Sequence, residues 1–339
     1  MICSRSLTSL PFIVLASTVF AQDSRFSAEF SVEIESDFTF ESDESDAELT
    51  DTFATIEGAL GYQFTNQFSL QSTLVFEPVE DATNDRFFED QGLYAEELFL
   101  EYDFGAASVA VGKFNPGFGF AWDIAPGVFG VDFAEDYEIT ERVGAAVTVP
   151  FSGIGGTHEL SFYAFTTDRS FLSNSLITER GQLRLEDGGV SNTDGIESFV
   201  LSLAGSFGDT AYTFALQNQA SGEGDAADQS GAVLGLVYLL NAGSKEIELL
   251  GEVAYFDEFD GTTDSATYAT IGAAVPVGPV VLSAVLASRD FEGASADTLA
   301  TVSAEWPLAD NLGVSLAYRY GDEEGVKSQT LGALLAYEF

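Results

Sequence analysis

The sequence predicts an all-β fold: a transmembrane antiparallel β-barrel of about 16 strands, with short turns at one end and long loops at the other. Three observations carry this. Side chains alternate between apolar and polar over long runs, which puts one kind on each face of a strand. The connections between those runs alternate short and long. Mean hydropathy is slightly positive, +0.13, although the chain holds 55 acidic residues. A barrel with an apolar outside and a charged inside reconciles the last two facts.

Taken from the start, Arg5 precedes an apolar run from Leu10 to Phe20, and Val19-Phe20-Ala21 has the small residues of a cleavage site. Residues 1–21 are therefore expected to be an export signal and 22–339 the barrel. The apolar run is roughly half the about 20 residues a spanning helix needs. Cys3 falls within the signal, so the mature chain has no thiol for a disulfide, a nucleophile or a metal.

The first strand shows the pattern at its cleanest. Phe26, Ala28, Phe30, Val32 and Ile34 alternate with Ser27, Glu29, Ser31, Glu33 and Glu35. In 52–64 the apolar set includes Ile56, Leu60, Tyr62 and Phe64; after Thr65-Asn66, Phe68, Leu70, Leu74 and Phe76 resume it, which reads as a hairpin. Further strands are expected near 92–104, 106–114, 139–150, 157–167, 196–207, 210–219, 231–241, 245–256, 267–277, 279–289, 298–308, 312–320 and 328–339. Short connections fall at Thr65-Asn66, Gly105-Ala106, Phe151–Gly156, Gly208-Asp209, Asn241–Ser244, Gly278-Pro279 and Ala309–Asn311. Long ones fall at 37–51, 77–91, 115–138, 168–195, 220–230, 257–266, 290–297 and 321–327. Periplasmic turns and extracellular loops have this asymmetry. Aromatics beside the short turns, such as Tyr62, Phe64, Tyr102, Phe104, Phe207 and Tyr212, suit a girdle at the lipid–water boundary.

Together with the terminal Tyr337-Glu338-Phe339, these features resemble Gram-negative outer-membrane porins over the whole mature chain. The resemblance implies an outer-membrane location beside lipid and lipopolysaccharide, a homotrimer, and recognition of Phe339 by the barrel-assembly machinery. It also implies a third loop that folds inward to narrow the pore and faces a basic wall. Leu93–Asp123, with its Val111-Gly112-Lys113-Phe114-Asn115-Pro116-Gly117 stretch, more narrowly resembles the phosphate-selective porin group. Only the architecture carries over. Phosphate selectivity needs a basic pore, and the mature chain has Lys113, Lys245, Lys327 and eight arginines.

Charge sets the functional expectation. Twelve basic against 55 acidic residues give −43, and losing Arg5 makes this −44. Such a chain repels nucleic acid and attracts cations. Strand parity turns Glu29, Glu33, Glu35, Glu57, Glu97, Glu101, Glu246, Glu248 and Glu252 into the lumen, since charge is costly against lipid. Asn115–Glu138 is the candidate constriction loop, carrying Asp123, Asp132, Glu135 and Asp136, with inward Arg142 and Arg319 as its candidate basic wall. Lys113 shares the outward parity of Val109 and Val111, which places it at the rim or beyond a bulge.

His158 is the single histidine and reads as a rim residue at the turn end. No phosphate-cradling loop or dinucleotide fingerprint occurs, and no cofactor or metal is expected. These readings point to a channel for passive diffusion of small hydrophilic solutes and ions, preferring cations. Alternatives are a substrate-specific porin for a sugar or organic solute, a barrel hydrolase using His158, and a non-conducting adhesin.

Overall fold

The computed structural model describes residues 24–153, 155–243 and 245–339, so the export-signal expectation for 1–21 lies outside the described residues. The strands follow in chain order: β1 (Phe26–Ser42), β2 (Thr50–Thr65), β3 (Phe68–Pro78), β4 (Arg86–Phe87), β5 (Gln91–Asp103), β6 (Ser108–Phe114), β7 (Arg142–Gly153), β8 (Gly156–Thr167) and β9 (Leu176–Ile177). They continue as β10 (Ser198–Phe207), β11 (Thr210–Gln219), β12 (Gln229–Ala242), β13 (Lys245–Asp257), β14 (Ala266–Val277), β15 (Val280–Phe291), β16 (Asp297–Ala309), β17 (Leu312–Glu323) and β18 (Val326–Glu338). Sixteen are long and form the barrel wall; β4 and β9 have two residues each and lie within loops, paired to β2 and β5. β1 bonds to β2 on one side and to β18 on the other, which closes the sheet and leaves no free edge. Phe30 and Phe339 exchange backbone hydrogen bonds of 2.9 and 3.0 Å across this seam, and their rings stack at 5.2 Å.

The outward parity is apolar around the wall. Leu100, Val111, Phe162, Leu236, Ile271, Leu286 and Leu316 are 43–60% exposed. A continuous belt of this kind suits hydrocarbon rather than water. Tyr62, Phe64, Tyr102, Phe104, Phe151 and Phe207 crowd the turn end, where an aromatic girdle belongs. The register of β3 against β5 shifts between Thr73 and Leu74, leaving Glu96 without a cross-strand partner. This β-bulge puts Glu96 and its neighbour Glu97 within reach of one residue, Asn115.

Two expected long loops are shorter. Residues 37–42 belong to β1, and 321–327 is a tight hairpin through Glu324 (φ 53°) and Gly325 (φ 82°). Acids such as Glu41 and Asp322 interrupt the apolar alternation there. Above the lipid a strand needs backbone pairing only, and its outer face is free to be polar.

Candidate functional site

Between β6 and β7 the chain turns into the barrel. Asn115-Pro116-Gly117, Gly119 (φ 77°) and Pro126-Gly127 (φ 95°) break strand geometry, and two single helical turns form, α1 (Ala121–Ile124) and α2 (Asp132–Glu135). Phe118, Phe120, Phe129 and Phe133 are only 1–5% exposed. Phe118, Phe120 and Phe133 share one buried cluster with inward Val200, Val233, Val237, Leu250, Ala254, Phe256, Tyr268 and Leu299. The expected charged inside thus gives way on the β10–β16 side to a largely apolar patch. On those strands an apolar patch of the inner face is covered by the inturned segment, among inward polar residues such as Ser202, Thr213, Gln217, Thr270 and Thr301.

Polar contacts fix the segment's position. Glu252 of β13, expected to line open lumen, is buried under the segment; its carboxylate accepts from Phe120 N (2.9 Å), Ala121 N (3.1 Å) and Tyr137 Oη (2.7 Å). Gly235 on the adjacent strand makes the room, because a Cβ there would stand 2.4 Å from Glu252 Oε2 and 2.8 Å from the Phe120 ring. Arg319 of β17 donates to Asp132 (2.7 Å) and Glu323 (2.7 Å). Arg289 of β15 donates to Asp136 (2.9 Å), Asp297 (2.8 Å) and Glu323 (3.1 Å) and lies over the Phe133 ring. Sequence reasoning passed over Arg289, although it shares inward parity with Ser283, Val285 and Ala287. Arg142 does not join this wall. Among the described residues it forms no ion pair, and its Nη1 donates to Thr167 (3.2 Å).

The opposite face of the segment meets acids. Asp123 lies within electrostatic reach of Glu57; Glu135 of Glu77; and Glu138 of Glu77, Glu96 and Asp123. Enclosure within the barrel pushes Asp123 up to about 6, and the charge of Glu57 adds to this. The same cause, with neighbouring carboxylates second, takes Glu135 to about 7 and Glu138 to about 8. On the wall, Glu57 adjoins Glu33 and Glu77, and Glu35 adjoins Glu33 and Asp37. Carboxylates therefore bound this slot on both sides. Glu97 accepts from Thr73 (3.0 Å) and from Asn115 N (3.1 Å) at the foot of the segment. Glu29, Glu101 and Glu248 have inward parity nearer the turn end, away from the slot.

Lys113 closes β6 at the loop-side rim, 2% exposed, and donates to Glu141 (2.6 Å) and Leu172 O (2.9 Å), with Asp168 at 3.0 Å. It pins the loop that follows β8. His158 faces outward among Phe151 and Tyr212 in the turn-end girdle. Both ring nitrogens are engaged, by Gly153 O (2.6 Å) and Tyr212 Oη (2.9 Å).

No family model matches the chain, and no curated protein matches it. Solved structures do. The outer-membrane channel DcaP of Acinetobacter baumannii superposes with a TM-score of 0.63 at 11% identity, over 93% of this chain and 97% of that one. Pseudomonas putida OprB gives 0.67 at 9%, over 93% and 94%. Salmonella typhi OmpF, in complex with daunomycin, gives 0.61 at 13%, over 93% and 97%. At these identities the likeness is one of fold: the chain shares the closed antiparallel β-barrel of Gram-negative outer-membrane porins.

Proposed function

We propose that the protein is an outer-membrane porin, a passive water-filled channel for small hydrophilic solutes and ions that prefers cations. One observation carries the preference: the slot beside the inturned segment has carboxylates on both sides, while Arg289 and Arg319 are each held by acids of their own. A carboxylate-lined passage lowers the energy of cations within it and raises that of anions. In this reading residues 115–138 form the constriction, and Asp123, Glu135 and Glu138 its charged edge. The barrel works as a homotrimer among lipid and lipopolysaccharide, and Phe339 is its assembly signal.

Planar-bilayer reversal potentials in a potassium chloride gradient test the proposal. A potential on the potassium side of zero is expected; one on the chloride side overturns it. The hydrolase alternative needs a histidine base open to solvent. His158 is 5% exposed, with both nitrogens engaged on the outer face.

A further inference from the structure

Arg142 stands apart from the charge pattern around it. It pairs in register with Phe114 on one side and Thr167 on the other. Its Nη1 bonds Thr167, its buried Nε has no acceptor, and it forms no ion pair among the described residues, the carboxylate within electrostatic reach being that of Glu141. The adjacent Glu141 is taken by Lys113 and Arg180. An inward guanidinium whose neighbouring carboxylate is ion-paired to two other cations is costly, all the more unusual in a chain with 55 acids.

A carboxylate lies in the same row. Leu98 pairs with Lys113, so Glu97, Phe114 and Arg142 follow one another across β5, β6 and β7. At about 4.8 Å between strands the row spans about 10 Å. Phe114 is 3% exposed, packs on Tyr163 at 5.9 Å, and with Glu97, Asn115, Thr148 and Tyr163 lines a small cavity. The ring stands between the two in the row, and no ion pair joins the guanidinium to the carboxylate among the described residues. Two groups of opposite sign thus stand at the ends of one inward row with a buried ring between them, the cavity lying on the Glu97 side.

We propose that Arg142 and Glu97, separated by Phe114, form a binding step for small zwitterionic amino-carboxylates. The solute's carboxylate goes to Arg142, and its ammonium to Glu97 and neighbouring Glu96. Simple anions are repelled by the acidic slot on the way in, and simple cations gain nothing at Arg142. Only a solute carrying both charges uses both poles. The proposal rests on the channel reading for access, but its test does not need conduction.

L-alanine is titrated calorimetrically into the purified barrel in detergent at pH 7, and separately added to single channels in potassium chloride. Saturable binding is expected, with acetate and methylammonium at least about tenfold weaker, as is alanine on Arg142→Gln or Glu97→Gln. Arg142→Lys, which keeps the charge without the fork, is expected to fall between. Lys245→Gln, at a distant turn, controls for net charge and is expected to bind as the parent does. Absence of saturable binding, or equal binding by Arg142→Gln and Lys245→Gln, overturns the proposal. A conducting barrel that ignores alanine sinks this site and leaves the porin reading intact. Alanine binding without conduction does the reverse.

Discussion

Replacing Glu252 tests whether the inturned segment is held by one buried carboxylate. In Glu252→Leu the two backbone N–H groups of Phe120 and Ala121 and the Tyr137 hydroxyl lose their acceptor together. Each unsatisfied buried donor costs about 1–3 kcal/mol, so a segment that stayed in place would lose roughly 3–9 kcal/mol. That is enough to favour lifting it into water, where the donors are hydrated. Glu252→Gln is milder. Oε1 alone serves Ala121 and Tyr137, so the amide oxygen can keep both and the amide nitrogen is left facing Phe120 N, at a cost of about 2 kcal/mol. Single-channel recording reads the outcome as larger, noisier current with weaker cation preference, in the order leucine, glutamine, parent. A leucine variant with parental conductance and parental urea midpoint would show that apolar packing alone holds the segment.

Other consequences follow from the same contacts. As pH falls from 9 to 5, Glu138, Glu135 and Asp123 take up protons near 8, 7 and 6, and reversal potentials should show cation preference declining across that window. Because burial raises these pKa values above their unfolded ones, the barrel should be more stable in acid, losing stability as pH rises from about 4 to 8 and levelling beyond; urea midpoints at pH 5 and 9 check the sign. Arg289→Ala leaves Asp136, Asp297 and Glu323 facing one another. It should cost about 2 kcal/mol, less than a fully buried pair because the side chain keeps 19% exposure, and a parental unfolding midpoint would contradict this. Deleting Phe339 removes two seam hydrogen bonds and the Phe30 stack, and should lower the yield of heat-resistant barrel in outer-membrane fractions.

The wall was legible because lipid and water impose opposite demands on alternate residues, and no loop contact is needed to satisfy them. Phe26–Ile34 shows this directly. What lay inside was less legible. Val233 and Val237 share a strand with outward Leu234 and Leu236, and a strand that is apolar on both faces has no parity signal to say which face meets water. The inward turn was suggested by Asn115-Pro116-Gly117 and its phenylalanines, but its docking side depends on Glu252, 132 residues beyond Phe120. Parity placed Arg142 and Arg319 alike on the inner face. Only the path of the segment separates them, bringing Asp132 to Arg319 and leaving Arg142 without an ion pair among the described residues. The bulge at Glu96 is invisible in composition, since either register buries a glutamate.

Net charge is a poor guide to which carboxylates select ions, and salt separates the two populations. Glu44 and Asp46 sit exposed in the first outer loop, while Asp123 and Glu138 border the slot. Screening acts over about 10 Å in 0.1 M salt and about 3 Å in 1 M, and most strongly on exposed groups. Neutralising Glu44 and Asp46 should therefore move the reversal potential modestly when mean salt is near 0.1 M and not at all near 1 M. Asp123→Asn with Glu138→Gln should reduce cation preference at both, because ions must pass within contact distance of those groups whatever the bulk concentration. At pH 7 the effect should be smaller than at pH 9, since Glu138 is largely protonated below 8. If the outer-loop pair outweighed the slot pair in 1 M salt, selectivity would reside at the mouth, and the slot would be a consequence of packing rather than the filter.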